Sequence, residues 1–175
     1  MPIKFELRES RLMVWILCHQ CHRLVARCEE VMTYGKEITP EQYSVLMVIK
    51  CANDPVRPTD VARWIDRRPH SISLIIERMQ KSGLVKRISD LPDRRSVRLV
   101  VTKKGEKILD QATMEGWKLI CEILSDLSQD EMQTLARLMG KVRDKAFNYL
   151  RPGDTMEEVK MNEEQNMARF LSKIN

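Results

Sequence analysis

The stretch PTDVARWIDRRPHSISLIIERMQKSGLVKRI, residues 58–88, decides the fold. Within it Ile72, Ile75, Ile76 and Met79 recur at three- and four-residue spacing, which predicts a helix over 69–81 with one buried side. Pro69 suits the first helical position, and Gly83, after Ser82, can take the left-handed conformation that closes a helix. Upstream, Val61, Ala62 and Ile65 form the buried face of a short helix predicted to begin at Thr59, whose hydroxyl would cap the amides of Val61 or Ala62. Asp66-Arg67-Arg68 is the turn between the two helices. Past Gly83 the hydrophobic period falls to two. Residues 85–88 and 96–101 read as strands around the polar turn 90–95, a β-hairpin wing.

The flanks are helical. Residues 10–33 carry an apolar stripe that includes Leu12, Trp15, Ile16, Leu24 and Val25, and Tyr34-Gly35-Lys36 ends it. Thr39-Pro40-Glu41-Gln42 is a capping box that opens a helix stopped by Asn53-Asp54-Pro55. Thr102 caps a helix over about 103–125, and Ser128-Gln129-Asp130-Glu131 opens another that runs to about 150. Arg151-Pro152-Gly153-Asp154 breaks it, and Thr155-Met156-Glu157-Glu158 is a third box. Met167, Phe170, Leu171 and Ile174 then follow helical spacing, so the tail is expected to be an amphipathic helix. The fold class is therefore mainly α with a small β-hairpin wing. A winged helix-turn-helix lobe occupies 39–107, and 151–175 is a C-terminal extension.

Charge is distributed unevenly. Residues 57–107 hold 14 Lys and Arg against 6 Asp and Glu, whereas the rest of the chain holds 16 against 19. A basic segment that coincides with a helix-turn-helix and a wing is the electrostatic footprint of a double-stranded-DNA reader. With the isoleucines of 69–81 turned inward, His70, Ser73 and Leu74 face outward with Glu77, flanked by Ser71 and Arg78. Small polar residues allow close approach to base edges, and Leu74 can touch a thymine methyl. Arg67 and Arg68 can meet phosphate or guanine, and Glu77 can pair with an arginine or accept from cytosine. At the wing tip Arg94 and Arg95 are candidate DNA contacts; Arg95 is the one expected in a narrow minor groove, with Asp93 holding Arg94 or Arg95 by a salt bridge.

Taken together, Thr39 to Leu46, Thr59-Asp60-Val61-Ala62, Ser71 to Met79, Gly83-Leu84-Val85-Lys86-Arg87, Asp93-Arg94-Arg95-Ser96 and Leu99 to Gly105 resemble the multiple antibiotic resistance regulator (MarR) family in order and spacing. The resemblance covers about residues 8–150 and does not explain the tail. It implies a homodimer in which 8–33 and 108–150 form the helical dimerisation region, with 69–81 as recognition helix and Arg95 as the minor-groove residue. A two-fold dimer reads a pseudo-palindrome. The resemblance also implies a small-molecule effector bound between the dimerisation region and the lobe, with Trp15, His19, His22, Met47 and Trp64 as candidate pocket residues.

The first long helix also carries Cys18-His19-Gln20-Cys21-His22, with Cys28 beyond. Cys18, Cys21 and His22 share a helical face, which suits thiol redox sensing or a soft metal. The competing reading is that buried cysteines act as small hydrophobes in a helical seam. The peroxide-sensing branch of the family has a reactive Cys and Tyr partners where this chain has Trp15, Glu29 and Pro40, which counts against a redox role. Cys51 and Cys121 are expected in the core.

No run of eighteen apolar residues and no basic-then-apolar N-terminus occurs, so a cytoplasmic location without membrane contact is expected. No phosphate-binding glycine loop, triad or carboxylate pair marks an enzyme, and no cofactor is expected. The function reading is a ligand- or redox-responsive repressor that binds DNA. The alternative is a winged-helix protein-docking module.

Overall fold

The computed structural model describes residues 7–52, 54–90 and 96–153, together with 160, 164, 167, 168 and 171. The elements bounded among the described residues run in the order α1 (Leu7–Thr33), α2 (Pro40–Cys51), α3 (Pro58–Trp64), α4 (Pro69–Lys81), β1 (Val85–Ile88), β2 (Arg98–Val101), α5 (Lys103–Ile123) and α6 (Gln129–Leu150).

The caps behave largely as their residues dictate. Thr39 and Gln42 form a reciprocal box at α2, and Ser128 and Glu131 do the same at α6. The expected cap at Thr59 is corrected. Helix α3 starts one residue earlier, with Pro58 at its first position, and the Asp60 carboxylate accepts from the Arg57 amide at 2.8 Å. Helix α4 ends in a Schellman arrangement. Gly83, at φ +74, donates to the Gln80 carbonyl, and the Leu84 amide donates to Met79 at 2.8 Å.

That turn aims the chain into β1, which pairs antiparallel with β2 in the register Val85↔Val101 to Ile88↔Arg98. The second strand begins at Arg98, two residues later than the alternation suggested. It is anchored on its far side by the Leu99 amide, which donates to the Val56 carbonyl at 2.8 Å.

The core lies in the lobe. Val45, Leu46, Val61, Ile72, Ile76, Met79, Leu84, Val85, Leu99 and Leu109 are buried and bring α2, α3, α4, the hairpin and the start of α5 together. Tyr43 and buried Thr113 join α2 to α5 through their hydroxyls at 3.2 Å, and burial raises the Tyr43 phenol above its ordinary pKa. Lys104 with Glu37 at 2.7 Å, and the Lys36–Glu115 and Lys50–Glu106 pairs, tie α5 further to the α1–α2 turn and to α2.

Outside the lobe the picture reverses. Helix α6 buries none of its residues, and Leu135, Leu138, Met139 and Val142 form an exposed stripe at i, i+3, i+4 and i+7. Leu12, Trp15, Ile16, Leu24 and Val25 of α1 are likewise exposed. Cys51 is buried as expected, but Cys121 is exposed, since it lies on α5 beyond the last residue that helix buries, Thr113. The third capping box, at 155–158, and Phe170 and Ile174 lie outside the described residues; Met167 and Leu171 are helical and exposed. Among the described residues no helix is long and apolar enough to cross a membrane.

Candidate nucleic-acid interface

Helix α4 presents two different sides. Ile72, Ile76 and Met79 are buried and Ile75 is half-buried, which leaves His70, Ser71, Leu74, Glu77 and Arg78 exposed. Ser73 is half-buried, and its hydroxyl donates to the Pro69 carbonyl at 3.0 Å while its lone pairs stay available to a donor. No side chain caps the start of α4, so the positive end of its dipole is unmasked beside exposed Arg67 and Arg68. Among the described residues Arg67, Arg68 and Arg78 make no ion pair within salt-bridge distance, although Arg78 lies close enough to Glu77 to lower its pKa. Glu77 does have a cationic partner: Lys81, one turn on, lies 2.8 Å away and holds the carboxyl below its usual pKa. Lys81 is thus the hydrogen-bonded partner of Glu77, with the expected arginine contribution coming more weakly from Arg87 and Arg78.

The wing tip, with Asp93, Arg94 and Arg95, lies outside the described residues. Its base is well defined. Arg98 makes a forked contact to Asp90, at 2.8 Å through Nε and 2.6 Å through Nη2, and reaches Asp54 at 3.3 Å. This pairing lowers the Asp90 pKa and raises that of Arg98. Sequence reasoning placed the wing's salt bridge at Asp93 and missed this one. The available signal was the opposite charges at 90 and 98, two residues apart in register across the hairpin.

A cleft of about 650 Å³ opens between α1 and the lobe. His22, Glu29 and Glu30 of α1 form one wall, and Gln42, Ser44, Ile65, Arg67, Ser71, Ile75 and Arg78 contribute from the lobe. Of the five candidate pocket residues only His22 lines it. Trp15 and His19, stacked edge-on at 4.9 Å, lie about two turns and one turn before His22 on α1, beyond the cleft's edge. Met47 and Trp64 pack against the lobe core instead.

Cys18 is half-buried and Cys21 exposed. Among the described residues no three His, Cys, Asp or Glu side chains are placed to hold a metal ion, so Cys18, Cys21 and His22 do not converge as a preformed site. A further contact was invisible in the sequence. Arg151, just past α6, pairs with Asp66 in the α3–α4 turn, and its guanidinium sits 5.5 Å over the Phe147 ring.

A helix with an unmasked N-terminus and an exposed basic flank, followed by a hairpin, defines the winged-helix class of DNA-binding transcriptional regulators. The sequence model of the MarR family matches residues 38–97. The regulator MgrA of Staphylococcus aureus is 31% identical over 105 residues, which is 60% of this chain and 69% of that protein. MarR of Escherichia coli is 29% identical over 107 residues, 61% of this chain and 74% of the relative. Among solved structures, an organohalide-sensing regulator, RdhR-CbdbA1625, in its 2,4-dichlorophenol-bound form superposes with a TM-score of 0.74 at 23% identity, over 87% of this chain and 90% of the other. A mutant of E. coli MarR complexed with operator DNA gives 0.68 at 25% identity, over 79% and 99%. The chain belongs to the MarR family of transcriptional regulators.

Proposed function

We propose that this chain is a homodimeric repressor that binds a pseudo-palindromic duplex and releases it when a small molecule occupies the cleft beside α4. The observation that carries the reading is the α4 face: exposed Arg67, Arg68 and Arg78 around an uncapped helix start, with Ser71, Ser73 and Leu74 offered to the major groove. Residues 39–107 act as the reading lobe, and 8–33 with 108–150 as the dimerisation region. The exposed stripes of α1 and α6 support the second assignment, since apolar faces of that extent need a partner.

Release follows from shared residues. Arg67, which precedes α4, and Ser71 and Arg78 on it line the cleft and also belong to the proposed DNA-binding surface, so a ligand that engages them competes with the duplex for the same donors. The phenol-bound form of the regulator that shares this fold supports a small organic effector.

In the proposed complex Arg95 enters the minor groove, with Arg94 a further DNA contact of the wing. Arg95→Ala is expected to weaken specific binding by about 1–3 kcal/mol, the range of a single groove contact. Fluorescence anisotropy on the preferred duplex measures this, and an unchanged Kd would remove the wing from the reading interface.

A further inference from the structure

Asp66 is the one acidic residue in the turn that leads into α4, and it directly precedes Arg67 and Arg68. Its backbone adopts φ +52, so the turn is tightly specified. A bare carboxylate there would repel the phosphate that the two arginines are placed to meet, over a distance shorter than the screening length of ordinary salt.

The carboxylate is not bare. Arg151, 85 residues later, bonds to its Oδ1 through Nη2. Three features fix that guanidinium. The Arg151 amide donates to the Phe147 carbonyl at 2.8 Å, the guanidinium lies over the Phe147 ring, and the C-terminal end of α6 favours a cation. Phe147 and Arg151 are half-buried, although α6 is otherwise largely exposed.

We propose that Arg151 is a positioning residue for DNA binding: it neutralises and pins Asp66, so the α3–α4 turn offers Arg67 and Arg68 to phosphate without an opposing charge. The inference rests on the DNA-binding reading above. It makes the end of α6 a determinant of affinity though it lies outside the helix-turn-helix. The pair is exposed, and exposed pairs contribute little to folding stability, so its effect belongs in binding rather than in melting.

The test uses the full-length protein and the tightest duplex that wild type selects from a random-sequence pool. Kd is read by anisotropy at about 100 mM salt, with thermal melting of each variant alongside. Arg151→Ala is expected to weaken binding about three- to tenfold without changing the melting temperature. Asp66→Asn is expected to bind as tightly as wild type or more tightly, since Asn also tolerates positive φ. Adding Arg151→Ala to Asp66→Asn should then change Kd by less than about twofold, because no charge remains to be neutralised. Arg151→Lys keeps the charge but loses the planar guanidinium stacked on Phe147, so its Kd should fall between those of wild type and Arg151→Ala. An Arg151→Ala variant that binds like wild type would overturn the proposal, as would one whose loss persists undiminished in the Asp66→Asn background. If wild type selects no duplex at all, it is the DNA-binding reading that fails.

Discussion

Raising salt from 50 to 200 mM is expected to weaken duplex binding by roughly 10³–10⁵, the loss that accompanies about six to ten phosphate contacts. The estimate comes from which cations are free. Arg67, Arg68 and Arg78 surround the start and outer side of α4, and Lys86 and Arg87 are exposed on β1. About three to five such residues per subunit, doubled by a dimer, give that range. Other basic residues in the same segment are already engaged: Lys81 with Glu77, Arg98 with Asp90 and Asp54, and Lys104 with Glu37. They release few counterions on binding, so neutralising Arg98 should change the wing's rigidity more than the salt slope. A plot of log Kd against log salt measures the effect. A complex insensitive to salt would favour the docking-module alternative.

Gly105→Ala is expected to cost about 3 kcal/mol of stability, which lowers the melting temperature by roughly 6–12 °C in a domain of this size. The reason is local. A Cβ at Gly105 would lie 2.2 Å from the Leu84 carbonyl oxygen and 2.9 Å from Val101 Cγ1. The first is a backbone atom held in place: the Leu84 carbonyl accepts from the Thr102 amide at 3.0 Å, and the Thr102 hydroxyl donates to the Gly83 carbonyl at 2.6 Å. The same hydroxyl accepts from the Gly105 amide at 3.0 Å. Helix α5 therefore crosses the turn that joins α4 to β1 at a distance only glycine permits. The clash would push α5 away from the lobe and disturb the aim of α4 with it. Differential scanning calorimetry reads the change, and a shift below about 2 °C would mean the crossing can open without strain.

Much of this was legible because it is written in local chemistry. Ile72, Ile76 and Met79 announced the buried side of α4, and by subtraction its free side. The Thr39 and Ser128 boxes and Gly83 fixed where helices start and stop. Other features depend on contacts that no local pattern records. The Asp60 carboxylate, not Thr59, supports the start of α3 because Pro58 already occupies the first helical position. The cleft's depth along α1 set which stripe residues reach it, so His22 lines it while Trp15 and His19 do not. Pairings such as Arg98 with Asp54 and Arg151 with Asp66 join exposed charges 44 and 85 residues apart, and side chains of that kind carry no periodicity. Cys121 was expected in the core, but it lies on α5 beyond the last residue that helix buries, Thr113, and is exposed.

Selection of duplexes from a random-sequence pool by the full-length protein tests the central claim most directly. The account predicts enrichment of a pseudo-palindrome whose half-site centres lie about 10 bp apart, or a multiple of that, as the two α4 helices of a two-fold dimer require. Enrichment of no sequence, or of a single unrepeated half-site bound by one chain, would contradict it.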